Sequence, residues 1–182
     1  MKLLIFFITI ILFVLSVACN GKRNSSPEKN NLTLIIDTVI VYEPKEYQEK
    51  IIDTVLDSED NIRVIIKMAS RMDQQVSQII ELDSTRIKKN CWRDNSLSFR
   101  IFVEDQLKFD TTVVKEALIQ IGDDDFLKKS ILYSAWIDNY DKELKTVIMG
   151  FNVIVPDTDW AYEFSLSVDK TGKSDLLLDE IK

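Results

Sequence analysis

Trp160-Ala161-Tyr162-Glu163-Phe164-Ser165-Leu166-Ser167-Val168 is the most regular stretch of the chain. Large apolar residues occupy every second position, with small or polar residues between them. Side chains of an extended chain alternate between two faces, so the stretch reads as a half-buried strand with Trp160 beginning its core side. Asp169-Lys170-Thr171-Gly172 follows, a turn with glycine where positive φ is needed. Lys173 to Leu178 then returns as an antiparallel partner. Upstream, Val147, Met149, Phe151, Val153 and Val155 alternate with Thr146, Ile148, Gly150, Asn152 and Ile154. Isoleucines on the second face predict a more deeply buried strand. Pro156-Asp157-Thr158-Asp159 links the two.

The same period runs back toward the N-terminus. Ile62 to Met68 and Phe99 to Val103 alternate clearly, and Leu34 to Val41, Lys50 to Leu56, Val76 to Leu82 and Ile131 to Ile137 read as further strands. Only Asp123 to Ser130 reads as a helix, with acids at its start and lysines at its end to match the helix dipole. Val113 to Gln120 fits a helix or a strand. Short alternating runs with one short helix predict a mainly β fold, an antiparallel sandwich or open barrel, in one domain over residues 32–182.

The first residues carry an address rather than a fold. Lys2 precedes an apolar stretch of about sixteen residues, shorter than the roughly 20 needed to span a bilayer. A positive end, an apolar centre and small residues at Ser16, Val17 and Ala18 make residues 1–18 a secretory signal peptide, with an uncleaved anchor as the alternative. Ser16-Val17-Ala18-Cys19 resembles the lipobox of bacterial lipoproteins, departing from it at Ser16, where leucine is usual. The resemblance implies cleavage between Ala18 and Cys19 and acylation of the Cys19 sulfur, with near-permanent anchoring by its acyl chains. Residues 20–31 hold no hydrophobic residue and are rich in turn formers, so residues 19–31 read as the lipidated cysteine and a flexible tether.

Composition closes off most chemistry. The 182 residues carry a formal charge of −7, two cysteines and no histidine. Loss of residues 1–18 removes Lys2 and leaves 164 residues at charge −8. Without histidine there is no Ser-His-Asp or Cys-His catalysis and no His-ligated metal. An acidic pI near 4.7 argues against a nucleic-acid partner. Gly21, Gly122, Gly150 and Gly172 lie too far apart for a phosphate-cradling loop. With Cys19 acylated, Cys91 has no disulfide partner.

Few side chains remain as candidates. Asp123, Asp124 and Asp125 lack the spacing of a calcium loop and read as a helix cap. Asp157 and Asp159, two apart in a turn, are either ordinary turn formers or a pair that acts in acid/base chemistry or holds a cation. Arg86, Lys88, Lys89, Trp92 and Arg93 form the one basic patch, fitted to an anionic headgroup, glycan or partner loop, or else a solvated hairpin connection. Trp160 is expected in the core, and Trp136 on either side of its strand. No cofactor or metal set is expected.

The lipobox, the polar tether, the Asp123–Leu132 segment, Pro156-Asp157-Thr158-Asp159 and the strand ending Val168-Asp169-Lys170-Thr171-Gly172 together resemble small lipoproteins of Bacteroides-type bacteria built on a domain of unknown function. That resemblance implies a lipid-anchored, β-rich envelope domain and brings no activity with it. Gly21-Lys22-Arg23 is basic where a surface-export signal would be acidic, which favours the periplasmic face of the outer membrane. The expectation is a non-catalytic lipoprotein acting in binding or envelope assembly, with a glycan or small-ligand binder and an Asp-pair hydrolase as the alternatives.

Overall fold

A computed structural model describes residues 37–181. The expected signal peptide, Cys19, the expected tether and the first residues of the strand expected over Leu34 to Val41 lie outside the described residues. The chain runs β1 (Asp37–Glu43), β2 (Glu49–Asp57), β3 (Ile62–Asp83), β4 (Arg86–Val103), β5 (Gln106–Val114), a 3₁₀ turn (Lys115–Leu118), α1 (Asp124–Lys129), β6 (Ile131–Asp141), β7 (Thr146–Ile154), β8 (Ala161–Asp169) and β9 (Ser174–Ile181). It is a mainly β sandwich and not a closed barrel. One sheet has the order β1-β4-β3-β2 with β5 also paired to β4, and the other is the meander β6-β7-β8-β9.

The core forms where the alternating faces meet. Val64, Ile66, Leu97, Phe99 and Ile101 face Met149, Phe151, Val153, Phe164 and Leu166, all buried. Phe151 stacks on Phe164 with ring centroids 5.2 Å apart, and Phe99 lies 5.9 Å away. The second face of β7 explains its glycine. A Cβ on Gly150 would lie 2.3 Å from the Trp136 indole, so the half-buried ring rests directly on the backbone. The turn before β9 has Gly172 at φ +89 with the Lys108 carbonyl close above it, a place no side chain fits.

Several expectations change. Ile62–Met68 and Val76–Leu82 are not separate strands but the two halves of the 22-residue β3. Three extra residues between Arg71 and Gln75 shift its register against β4 without taking the chain out of the sheet. Arg86–Arg93 is not a solvated connection; it is the first half of the central strand β4, and Trp92 is only 8% exposed. Trp160 is 61% exposed rather than core. Its carbonyl accepts from the Val155 amide at 3.0 Å, closing the turn before β8 begins at Ala161 and leaving the ring outside. β1 pairs with β4 in parallel, the one parallel pair in the two sheets. Residues 113–120 divide between the end of β5, the 3₁₀ turn and the two turn residues after it. Gln106–Val114 is a strand that the alternation did not single out. The helix forms as read, with the Asp123 carboxylate accepting from the Phe126 amide at 2.9 Å and Lys128 paired to Asp124 at 2.6 Å.

Only half of the β3–β4 hairpin lies in the sandwich. Residues 62–71 and 96–103, flanked by β2 and β5, cover the second sheet. Residues 75–83 and 86–93, flanked by β1 alone, continue past it as a three-stranded arm.

Candidate binding cleft

The cleft opens where the arm leaves the sandwich, and the bulge in β3 sets its geometry. Met72, Asp73 and Gln74 bow out, and Arg93 fills the space beneath them. Its guanidinium donates to the Met72 carbonyl and to Gln75 Oε1, and stacks 4.4 Å above the Tyr42 ring. Arg93 Nε stays buried without a hydrogen-bond partner. The next two residues bolt the sheets together. Asp94 Oδ1 accepts from the Leu132 amide at 2.8 Å, and Asn95 Nδ2 donates to the Leu132 carbonyl at 2.6 Å. Both backbone groups of one β6 residue are therefore held from β4.

Asp94 is 1% exposed, and its second oxygen makes no hydrogen bond. Arg71 and Lys115 stand 3.8 and 3.9 Å from that oxygen. Burial pushes the Asp94 carboxyl up, against the pull of Lys115 and the two amides. Burial likewise pushes the Lys115 ammonium down, with Asp94 opposing it. Burial raises Glu116, but the Arg71 hydrogen bonds, a backbone amide and the charges of Arg71 and Lys115 together outweigh it and leave the carboxyl below its ordinary range. Asp94 Oδ1 and Asn95 tie β4 to β6 at this charged joint, a structural role.

Beside it lies a cavity of about 610 Å³ bounded by the end of β1, the start of β2, the middle of β4, the start of β6 and the β7–β8 turn. Its polar wall carries Glu43, Lys50, Arg93, Asn95 and Asp157. Glu43, Lys50 and Asp157 form no ion pair with any described residue. Tyr133, with its ring exposed, supplies a flat apolar surface, and Met68 and Ile131 extend it.

Of the residues singled out from sequence, Trp92, Arg93 and Asp157 come together at this cleft. Trp92 contributes an edge and not an open platform, because it is buried in register between Glu43 and Val76. Arg86, Lys88 and Lys89 point elsewhere along the arm, and Asp159 sits on the exposed turn outside the cleft lining. Asp157 holds φ +60, a left-handed turn position that aspartate tolerates. Cys91 is a buried free thiol. Glu43, Lys50, Asn95 and Tyr133 were invisible to sequence reasoning, since each comes from a different strand and no local pattern joins them. A second, smaller groove of about 370 Å³ lies beside α1, where exposed Trp160 neighbours the stacked pair Phe126 and Tyr162, 3.9 Å between centroids, with Asp123 and Asp125 at its edge. Among the described residues no group of three or more His, Cys, Asp or Glu side chains is placed to hold a metal ion.

No curated protein matches the sequence. The sequence pattern of DUF4738, a domain of unknown function, matches residues 17–176. With most of its length inside that pattern, the chain belongs to the DUF4738 family.

Proposed function

We propose that this chain is a lipid-anchored envelope lipoprotein, kin to those of Bacteroides-type bacteria, whose β domain is a non-catalytic binding module for a hydroxyl-rich ligand such as a glycan fragment. Cys19 bears the acyl chains, and the domain stands on the periplasmic face of the outer membrane. The observation carrying the binding role is the cleft itself, which gathers the acceptors Glu43 and Asp157 and the donor Lys50, none of them ion-paired to a described residue, beside the exposed Tyr133 ring. Sugar hydroxyls both donate and accept, and a sugar ring presents an apolar face to an aromatic one. The absence of histidine and the exposed, turn-bound position of Asp159 favour binding over hydrolysis. The groove at Trp160 supports a second contact for a longer glycan, because its indole is 61% exposed.

Two experiments test the two halves of this reading. Cys19→Ala should move the protein from the membrane to the soluble fraction, and retention in the membrane overturns the anchor. Calorimetric titration with soluble envelope glycan fragments should give binding that Lys50→Ala and Asp157→Ala each weaken about tenfold, the loss of roughly one charged hydrogen bond. Undiminished binding by both variants removes the cleft from the account.

A further inference from the structure

The arm poses a question that the cleft does not answer. Among the described residues neither face of its outer half is covered: every residue of β1 from Asp37 to Tyr42 is exposed, as are Ser77 to Asp83 of β3. The register sets these residues in cross-strand rows. Val39, Lys88 and Ile80 stand side by side on one face, and Ile40, Lys89 and Ile79 on the other. Each row is an ammonium between two aliphatic side chains, so both faces repeat one chemical pattern. Ile79 is 62% exposed and Leu82 52%, large for β-branched and aliphatic residues in a strand.

Where the preceding chain joins this arm says what covers it. Because β1 runs parallel to β4, its first residue lies at the arm's tip, where the Asp37 amide donates to the Thr85 carbonyl at 2.8 Å. Residues 20–36 connect that tip to Cys19 and span at most about 60 Å at full extension. An acylated Cys19 therefore holds the tip, and not the opposite end of the sandwich, at high effective concentration against the bilayer. Resting on the lipid-anchor reading, we propose that the arm tip is a second membrane contact. Ile79, Ile80, Leu82, Val39 and Ile40 enter the boundary between headgroups and acyl chains, and Lys88 and Lys89 extend to lipid phosphates.

Lysine stems lie along apolar surface while their ammonium groups reach the phosphate layer, which is the arrangement each row offers. Charge alone does not drive the contact. Arg86, Lys88 and Lys89 are balanced by Asp37, Glu81 and Asp83, and Arg86 is already paired to Asp83 at 2.7 Å. The attraction is mainly apolar and weak, and the covalent anchor makes weak affinity sufficient.

The test uses the full lipidated protein in vesicles of phosphatidylethanolamine and phosphatidylglycerol. A thiol-reactive environment-sensitive fluorophore is placed at Leu82→Cys or, for reference, at Leu144→Cys in the exposed β6–β7 turn at the other end of the sandwich. Cys91 is buried and Cys19 acylated, so the introduced thiol is the one labelled. The expected result is a blue-shifted emission at position 82 and quenching by spin-labelled lipid about threefold stronger than at position 144. Equal quenching at the two positions, with the protein still floating with the vesicles, overturns the arm contact and leaves the anchor standing. Protein that fails to float overturns the anchor reading itself. A disulfide-linked dimer of the unlabelled Leu82→Cys protein after air oxidation, with quenching lost in the labelled protein, assigns the arm to a second copy and likewise overturns the membrane contact.

Discussion

β3 and β4 are two strands that lead two lives. In their sandwich halves, Val64 lies opposite Ile101 and Ile66 opposite Phe99, each essentially without exposure. In the arm, Ile79 lies opposite Lys89 and Ile80 opposite Lys88, with both isoleucines in solvent. The backbone ladder continues through both halves, so the pairing does not depend on which half is buried. What differs is the partner layer. The sandwich half has β6 to β9 against it; among the described residues the arm has only β1 at its side. Strand formation and core formation are thus separable here.

The comparison predicts that stability concentrates in one half. Phe151→Ala removes a fully buried ring that is stacked on Phe164 and tilted against Phe99, and should cost about 4 kcal/mol, read as a lower urea midpoint at unchanged slope. Asp94→Ala tests the joint between the halves. It strips acceptors from the Leu132 and Asn95 amides and leaves Lys115 half-buried beside one carboxylate fewer, a loss of about 3 kcal/mol. Faster hydrogen exchange at the Leu132 amide should accompany it. A loss below about 1 kcal/mol would mean that Asp94 is a passenger in the joint.

How much of this was legible in the sequence follows from the same division. Strands β7 and β8 could be read directly, because a partner layer on one face imposes a strict period of two on Tyr162, Phe164, Leu166 and Val168. The helix could be read because its cap and dipole are local features of residues 123–129. Where burial is absent or two-sided, the period fades. Arg86 to Arg93 resembles a loop by composition, yet β1 and β3 on either side make it a central strand. Trp160 kept the parity of the core face but fell one residue before the strand began. The cleft was illegible for a different reason: Glu43, Lys50, Asn95 and Tyr133 meet only through the sheet order, which one sequence does not encode locally.

Smaller effects probe the outer face of the second sheet and the two ends of the first. Gly150→Ala would force the Trp136 ring off the backbone at a cost of about 2 kcal/mol. Trp136→Ala in the same chain should recover most of that loss, and a shift in tryptophan emission should mark the displaced ring. At the end of the sandwich away from the arm, Asp57 is held below the ordinary carboxylate range by the Asp60 amide, then by Lys142 and the Glu59 amide. Its contribution is complete above the unfolded aspartate pKa and disappears as pH falls through the lower folded value. Asp94 has the opposite sign. With its folded pKa raised by burial, its contribution is complete below the unfolded value and declines as pH rises through the folded one. Asp57→Asn should therefore flatten the acid limb of stability against pH, whereas Asp94→Asn should remove a decline above it. Both are read from urea midpoints across the acid range, and parallel profiles for the two variants would contradict the assignment.

The smallest expected effect decides most about the arm. Ile79→Thr keeps the β-branched shape that the strand prefers while replacing an exposed methylene and methyl with a hydroxyl. Since Ile79 is 62% exposed and lies outside the core, the domain's stability should change by no more than about 0.5 kcal/mol. The same substitution at Ile66, buried between Phe99 and Ile52 in the ladder, should cost several times as much. If Ile79→Thr instead lowers the urea midpoint as far as Ile66→Thr does, residue 79 is buried in the protein in solution, and the contrast between the halves collapses. If stability holds while membrane contact by the arm weakens, then the apolar rows are there for what the arm meets and not for the fold that carries it.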